Sequence, residues 1–212
     1  MIVVKVYRES LKAYLSGVRT IANRGGTRSG KTYSIVSLLV SIAVGSKNGK
    51  DINIVSESMP HLKRGALKDI DDILSNEGLL KDRDFKLNST DHQYTFNSGS
   101  SIRFFSVDDW GKVKGGRRDI LFINECNRIP YETYRQLSVR TRECVFLDWN
   151  PDCEFWYELT TPNTIAVSAA KSPSFAEIGK LSPMISEIGR SVLRLFTENG
   201  KSHRTGKFEW SA

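Results

Sequence analysis

The sequence predicts an α/β fold in which a mainly parallel sheet is flanked by helices and interrupted by a β-hairpin. Three observations indicate this fold. A glycine-rich loop joins a strand pattern to an apolar helix pattern, short apolar runs end abruptly in polar residues, and a hairpin pattern lies between these runs. A chain of 212 residues can bury around 70% of its unfolded surface, which suits one α/β domain with a small appendage.

The glycine-rich segment at residues 25–32 is the most informative stretch. It comprises Gly25, Gly26, Thr27, Arg28, Ser29, Gly30, Lys31 and Thr32, and it fits the pattern G-x-x-x-x-G-K-[ST]. Such a loop points backbone N–H groups at an anion, and the dipole of the following helix adds to the attraction. We expect Lys31 to reach the β- and γ-phosphates of a nucleotide and Thr32 to place its hydroxyl on Mg²⁺.

The residues on either side of this loop favour the nucleotide-binding interpretation over a chance glycine turn. Residues 20–23 can form a strand that runs into the loop, and residues 33–44 form an apolar helix pattern without glycine or proline. This is the strand, loop and helix context that the motif requires.

Composition bounds the remaining possibilities loosely. The formal net charge of +7 is compatible with a polyanionic partner, although many basic proteins bind no nucleic acid. Cys126, Cys144 and Cys153 form no C-x-x-C pair, and the histidines lie far apart in the sequence, so a metal cluster of these residues is not expected. We find no signal peptide pattern and no apolar run of the ~18 residues that a membrane span needs. The expected compartment is therefore a reducing cytoplasm, with no membrane partner.

Three patterns follow the loop helix in order. Residues 51–55 are typical of a strand. Ser58 and Pro60 then predict the start of a helix, and its apolar face carries Leu62, Leu67, Ile70, Ile73 and Leu74. Residues 93–96 and 102–105 predict a hairpin around a turn at residues 97–100, which interrupts a simple βαβ alternation.

A basic, glycine-rich loop follows at residues 108–118. It contains Lys112, Lys114, Arg117 and Arg118. Such a loop could contact nucleic-acid phosphates, and an ordinary surface connection is an equally good interpretation of its composition.

Two apolar runs end in polar residues and predict buried parallel strands. Residues 119–123 lead into Asn124 and Glu125, and residues 144–148 lead into Trp149 and Asn150. Ligands lie at the carboxyl ends of strands in open α/β sheets. Glu125 is a candidate general base for ATP hydrolysis, Asn124 a weakened metal ligand, and Asn150 a sensor of the γ-phosphate; the alternative for Asn150 is an Asn-Pro turn.

These motifs, in this order and spacing, resemble the ATPase domain of tailed-phage large terminases. The resemblance covers roughly residues 15–165 and rests on GGTRSGKT, GSSIRFFSVDDWGKVKG, DILFINECNRI and FLDWNP. It implies that Lys31 and Thr32 are the Walker A pair and that Asn124 and Glu125 occupy the Walker B position. It also implies that Asn150 belongs to the coupling motif and that Arg28 is an arginine acting in cis.

The resemblance further implies a P-loop NTPase core of the additional-strand, catalytic-glutamate type over residues 1–165, with a small lid or truncated linker over residues 166–212. The implied function is ATP- and Mg²⁺-dependent translocation of double-stranded DNA into a procapsid. The implied partners are viral DNA, a portal protein, a small terminase subunit and further copies in a ring, in the host cytoplasm.

Two features depart from the family pattern. Asn124 stands where aspartate is common, and residues 168–212 neither follow the expected lid pattern nor leave room for a C-terminal nuclease. Two alternatives therefore remain open: a low-turnover nucleotide-binding switch, and a helicase-like DNA-dependent ATPase.

Overall fold

The computed structural model describes residues 2–109, 111, 115–151, 155–157 and 166–169. Its helices are α1 (Ile2–Leu15), α2 (Lys31–Gly45), α3 (Met59–Arg64), α4 (Ala66–Asn76) and α5 (Tyr131–Val139), with a 3₁₀ turn at Cys126–Arg128. Its strands are β1 (Thr20–Gly25), β2 (Asp51–Ser56), β3 (Phe85–Asn88), β4 (Gln93–Phe96), β5 (Ser101–Ser106), β6 (Arg118–Ile123), β7 (Thr141–Trp149) and β8 (Ala166–Ala169). None of the helices in these ranges has the length and apolarity that crossing a bilayer requires.

The strands form one eight-stranded sheet in the order β3-β4-β5-β2-β6-β7-β1-β8. The pairs from β5 through β8 are parallel, whereas β3, β4 and β5 pair antiparallel. Strand β7 lies between β1, which leads into the glycine-rich loop, and β6. The predicted α/β fold with a mainly parallel sheet flanked by helices is confirmed.

Strand β6 is buried on both faces of the sheet, as its apolar run predicts. Ile120 and Phe122 pack into the core cluster that includes side chains of α1, α2 and α4. Leu121 and Ile123 pack into the second cluster, which includes Leu137 of α5. Successive side chains of a strand point to opposite faces, so β6 contributes side chains to both core clusters.

The predicted hairpin is present as β4 and β5, and a third strand extends it. Strand β3 pairs antiparallel with β4, and the ring of Phe85 lies against those of Tyr94 and Phe96. The β3 segment alternates Phe and Leu with Lys and Asn, and it follows the charged run at residues 81–84. This pattern is short and half of its residues are polar, so it does not predict a strand.

The helix predicted after Ser58 is divided into α3 and α4 at Gly65. The N–H of Gly65 donates to the carbonyls of His61 and Leu62, which closes α3 before α4 begins. Ser58 occupies the N-cap position without a side-chain cap hydrogen bond, and Pro60 lies in the first turn. The predicted apolar face is confirmed, because all of its members are buried: Leu62, Leu67, Ile70, Ile73 and Leu74.

The hairpin turn packs closely against the connection between α2 and β2. Gly49 has a φ of +67°, and a Cβ on this residue would lie 2.8 Å from the carbonyl oxygen of Gly99. Beside it, the hydroxyl of Ser98 donates to the carbonyl of Ala43 at 2.5 Å. A side chain at residue 49 therefore does not fit.

Two expectations from the sequence are corrected here. Arg118, predicted to lie in the basic loop, is 1% exposed at the start of β6, and its guanidinium lies 5.9 Å from the ring centroid of Phe105. It cannot contact nucleic acid from there. The sheet also continues past residue 165, because β8 pairs with β1. Lys112, Lys114 and residues 170–212 lie outside the described residues.

Candidate active site

The glycine-rich loop connects β1 to the N-terminus of α2. Strand β1 ends at Gly25 and α2 begins at Lys31. The residue before the helix, Gly30, has a φ of 75°, a left-handed conformation that glycine adopts without steric cost. The first N–H groups of α2 have no partner within the helix, so the loop and the helix start together form an anion-binding site.

The ammonium group of Lys31 is folded into this loop. It donates to the carbonyls of Gly25 and Gly26 at 2.6 and 3.0 Å, to Ser29 Oγ at 3.1 Å and to Asn150 Oδ1 at 3.1 Å. Lys31 is 6% exposed. Burial lowers its pKa, while the charges of Asp148 and Glu125 raise it. The structure thus brings Asn150, at the end of β7, to the cation of the loop.

The other strand ends meet beside Thr32. Thr32 Oγ1 donates to Asp148 Oδ2 at 2.8 Å. Asn124 Nδ2 donates to Thr32 Oγ1 at 3.2 Å and to both carboxylate oxygens of Asp148, at 3.1 and 3.3 Å. The backbone N–H of Glu125 donates to Asp148 Oδ1 at 2.7 Å. These contacts join the loop, β6 and β7 in one hydrogen-bonded network.

Strand register places the residues of this network together. In the β6–β7 pair Ile123 lies opposite Leu147, so the next residues along the chain, Asn124 and Asp148, lie side by side. Asn23 of β1 lies opposite Asp148. The sequence pattern predicts Asp148 only as the last residue of a strand, without a functional role. The signal for it in the sequence was a carboxylate at the end of the apolar run at residues 144–148, together with the similar run at residues 119–123.

Asp148 is a carboxyl group enclosed by protein, with 1% exposure. Burial raises its pKa, and this effect is opposed by the Glu125 N–H, the Lys31 charge and the hydrogen bonds from Thr32 and Asn124. Its surroundings are therefore polar, although water does not reach it.

Glu125 follows β6 in a left-handed conformation, with a φ of 53°. Its carboxylate lies 2.9 Å from Arg128 Nε and 3.3 Å from His61 Nε2. Arg128 also approaches Glu57, with Nη1 3.6 Å from Oε2. No sequence pattern predicts His61 or Arg128 as a neighbour of Glu125. Arg128 lies three residues further along the chain, and His61 comes from α3.

Arg28 occupies the exposed apex of the loop, beside the exposed Thr27. Its φ of 61° is also left-handed. Its role as an arginine acting in cis stays a prediction, as do the roles of Glu125 as base, Asn150 as sensor, and Thr32 and Asn124 as metal-site residues.

The residues present fit a Mg²⁺–nucleotide. An ammonium and a helix N-terminus suit phosphate oxygens. Thr32 supplies a hard oxygen donor of the kind that Mg²⁺ prefers, and the Asp148 carboxylate accepts a hydrogen bond from it. Because the Thr32 proton is donated to Asp148, a lone pair of its oxygen remains available to a cation.

A sequence profile described as the phage terminase large subunit matches residues 19–155. The chain belongs to this terminase family. The matched range contains the whole loop at residues 25–32 together with Glu125, Asp148 and Asn150. No curated protein sequence matches the chain.

Solved terminase structures share the fold. The large terminase of a thermophilic bacteriophage has a TM-score of 0.62 at 18% identity, covering 78% of this chain and 44% of that one. The same terminase in complex with ADP has a TM-score of 0.60 at 18% identity over 79% and 44%. The large terminase of bacteriophage HK97 has a TM-score of 0.60 at 10% identity over 89% and 46%. The chain thus spans less than half the length of these terminases.

Proposed function

We propose that this chain is the ATP-hydrolysing motor domain of a phage DNA-packaging terminase. The observation that carries the proposal is the meeting of the loop with both strand ends: Lys31 contacts Asn150, and Thr32 contacts Asp148 and Asn124. A phosphate loop that only anchors an anion has no need of these contacts. A related large terminase has been solved with ADP, which supports an adenine nucleotide as the ligand.

In this proposal the loop and Lys31 hold the phosphates. Backbone N–H groups at the start of α2 and the Lys31 ammonium bind the β- and γ-phosphates. Mg²⁺, when bound, neutralises phosphate charge and orients the γ-phosphate. Thr32 and Asn124 are the residues we expect on the metal side of the site.

Hydrolysis requires a base and a cation near the γ-phosphate. The Glu125 carboxylate would take the proton of the attacking water. The Arg28 guanidinium would stabilise the charge that develops on the γ-phosphate. The γ-phosphate would also compete with Asn150 for the Lys31 ammonium. Nucleotide binding in the loop would therefore change the contacts of Asn150 at the end of β7.

Glu125→Gln tests this function directly. The amide keeps shape and hydrogen bonding but cannot accept the proton, so we expect ATP binding to persist and turnover to fall by about 10²–10⁴-fold. The matched control is Glu132→Gln, an exposed glutamate on α5. Parental turnover in Glu125→Gln would mean that β6 does not carry the base.

The proposed partner is double-stranded viral DNA, bound through phosphates. The net charge of +7, the exposed Arg117 and the family support this partner. We expect binding that depends weakly on sequence and falls steeply with salt, because phosphate contacts release counterions. Binding that does not change between 50 and 200 mM salt, a range over which phosphate contacts weaken markedly, would contradict it.

The assembly proposed for the whole terminase follows from the family alone. We propose a portal protein, a small terminase subunit and further copies of this chain in a ring on the procapsid, in the host cytoplasm. Sedimentation of the chain with and without procapsids tests the ring.

A low-turnover nucleotide switch is the second candidate, and a specific contact favours it. Two basic side chains hold the Glu125 carboxylate, Arg128 at 2.9 Å and His61 at 3.3 Å. A base held in this way is less available to water. Steady-state ATPase rates with and without DNA separate the two functions, because a motor is stimulated by DNA and a switch is not. A strand-separation assay tests the helicase-like alternative.

A further inference from the structure

The carboxylate of Asp148 is buried at the centre of the candidate site, and the functions described above leave it without a role. Each of its oxygens accepts from two donors: Oδ1 from the Glu125 N–H and Asn124 Nδ2, and Oδ2 from Thr32 Oγ1 and the same Asn124 nitrogen. All of these donors are uncharged groups. A buried carboxylate of this kind is costly unless a cation compensates it.

The cation of the loop does not meet Asp148 directly. Lys31 donates to Gly25, Gly26, Ser29 and Asn150 instead. Among the described residues, the hydrogen bonds to Asp148 therefore leave its negative charge unmatched by a contacting cation. Thr32, which we expect to hold a divalent cation, donates directly to this carboxylate.

The hydroxyl of Thr32 is oriented by Asp148. A hydroxyl has one proton and two lone pairs, and the proton of Thr32 is donated to Asp148 Oδ2 at 2.8 Å. One lone pair accepts from Asn124 Nδ2 at 3.2 Å. The second lone pair remains for a metal. Fixing a metal ligand through the hydrogen bond behind it is a common way to raise metal affinity.

Asn124 cannot supply a negative charge to the metal site, because an amide is neutral. Its nitrogen donates to Thr32 and to Asp148, so it bridges the two residues without competing for the proton of Thr32. The register of β6 and β7 sets the two side chains next to each other. The carboxylate expected at the end of β6 is thus present on the neighbouring strand.

We propose that Asp148 is the carboxylate of the metal site, acting on Mg²⁺ through Thr32, and that the acid and amide positions are exchanged between β6 and β7. Asp148 is a positioning residue that does not itself ligate the metal. This inference rests on the proposed nucleotide site, but it concerns metal affinity and not turnover.

The test measures how strongly Mg²⁺ improves ADP binding, without hydrolysis. Isothermal titration calorimetry of the full chain with ADP, once in EDTA and once in excess Mg²⁺, gives this ratio. In D148N we expect the factor by which Mg²⁺ increases ADP affinity to fall about 10- to 100-fold. The ADP affinity in EDTA should be retained. The matched control D82N makes the same change at an exposed aspartate outside the site, and its ratio is expected to stay within about threefold of the parent.

A double exchange provides the rescue. N124D/D148N restores one carboxylate and one amide on the opposite strands, and we expect it to regain most of the Mg²⁺ effect that D148N loses. A D148N variant with the parental ratio would overturn the inference, as would a double exchange that regains none of the loss.

The outcomes separate this inference from the proposed function. If the parent binds no ADP under either condition, the nucleotide site itself is wrong. If the parent binds ADP with a Mg²⁺ effect that D148N retains, only the role of Asp148 is wrong. Thermal melting without nucleotide checks folding. If D148N does not fold, N124D/D148N decides: a Mg²⁺ effect close to the parental one supports the inference, and its loss overturns it.

Discussion

The Glu125 carboxylate lies 2.9 Å from Arg128 Nε, three residues further along the chain. The guanidinium competes with water for the carboxylate oxygens. The pair therefore holds the proposed base in a less reactive state. Its side chains are 51% and 24% exposed, so its strength is that of a partly solvated pair.

Arg128→Ala should release Glu125. Partly exposed ion pairs contribute about 0.2–1 kcal/mol, so we expect DNA-independent ATP turnover to rise by up to about fivefold. The measurement is a steady-state ATPase assay without DNA. Arg135→Ala is the matched control, because Arg135 makes the same i, i+3 pair with Glu132 on α5. A fall in turnover would show that Arg128 positions the base.

Arg28→Ala separates a catalytic arginine from a surface arginine. A cation at the γ-phosphate is worth ~10³ or more in rate, whereas an exposed loop arginine without that contact contributes almost nothing. We expect nucleotide affinity close to that of the parent and turnover lowered by about that factor. Calorimetry and ATPase assays measure the two quantities. Unchanged turnover would move the role to a neighbouring subunit, because Arg140 and Arg142 lie at the start of β7, at the opposite edge of the sheet from the loop.

Gly49→Ala tests the contact between the hairpin turn and the α2–β2 connection. The added Cβ would lie 2.8 Å from the Gly99 carbonyl, so we expect a loss of about 2 kcal/mol or more in the free energy of unfolding. Gly78→Ala is the matched control: its φ of +68° is nearly the same, but a Cβ there meets nothing within 4 Å. Urea denaturation compares them. Equal losses would assign the effect to backbone conformation alone.

Asp69 makes the stability of the nucleotide-free protein depend on pH. Burial, then the charges of Asp72 and Asp148, raise its pKa to about 7. The folded state therefore keeps a proton that the unfolded state releases, and this contribution to stability is lost as pH rises from 3.8 towards about 7.

Asp69→Asn should remove this dependence. At pH values above about 7 we expect a melting temperature a few degrees higher than the parent, and below the unfolded-state pKa no difference. Thermal melting at both ends of the range measures it. Asp82→Asn is the control, because Asp82 is exposed. A gain of the same size at both ends would mean that Asp69 does not titrate in this window.

Local patterns predict most of the fold. The loop with its flanking elements, the buried strand β6 and the hairpin follow from residue spacing, because each is decided by neighbours in the chain. Strand β3 did not follow, since its four residues alternate apolar and polar side chains and depend on pairing with β4. Arg118 was misplaced because a basic residue after glycines resembles a surface loop, whereas here it begins β6.

The candidate site was predicted less completely than the fold. Lys31, Thr32, Asn124, Glu125 and Asn150 were found because they stand at motif positions. Asp148 and His61 were missed for one physical reason: their neighbours are set by strand register and helix packing between segments far apart in the chain. No local pattern encodes the distance between two strand ends.

Arg28 and Glu125 are both non-glycine residues in the left-handed region, with φ values of 61° and 53°. Each carries a conformational cost of about 1 kcal/mol or more that glycine would relieve. Automated sequence redesign for thermostability would therefore favour glycine at these two positions. A library ranked on melting temperature alone would discard the proposed cation and base together, so redesign of this domain needs both residues held constant.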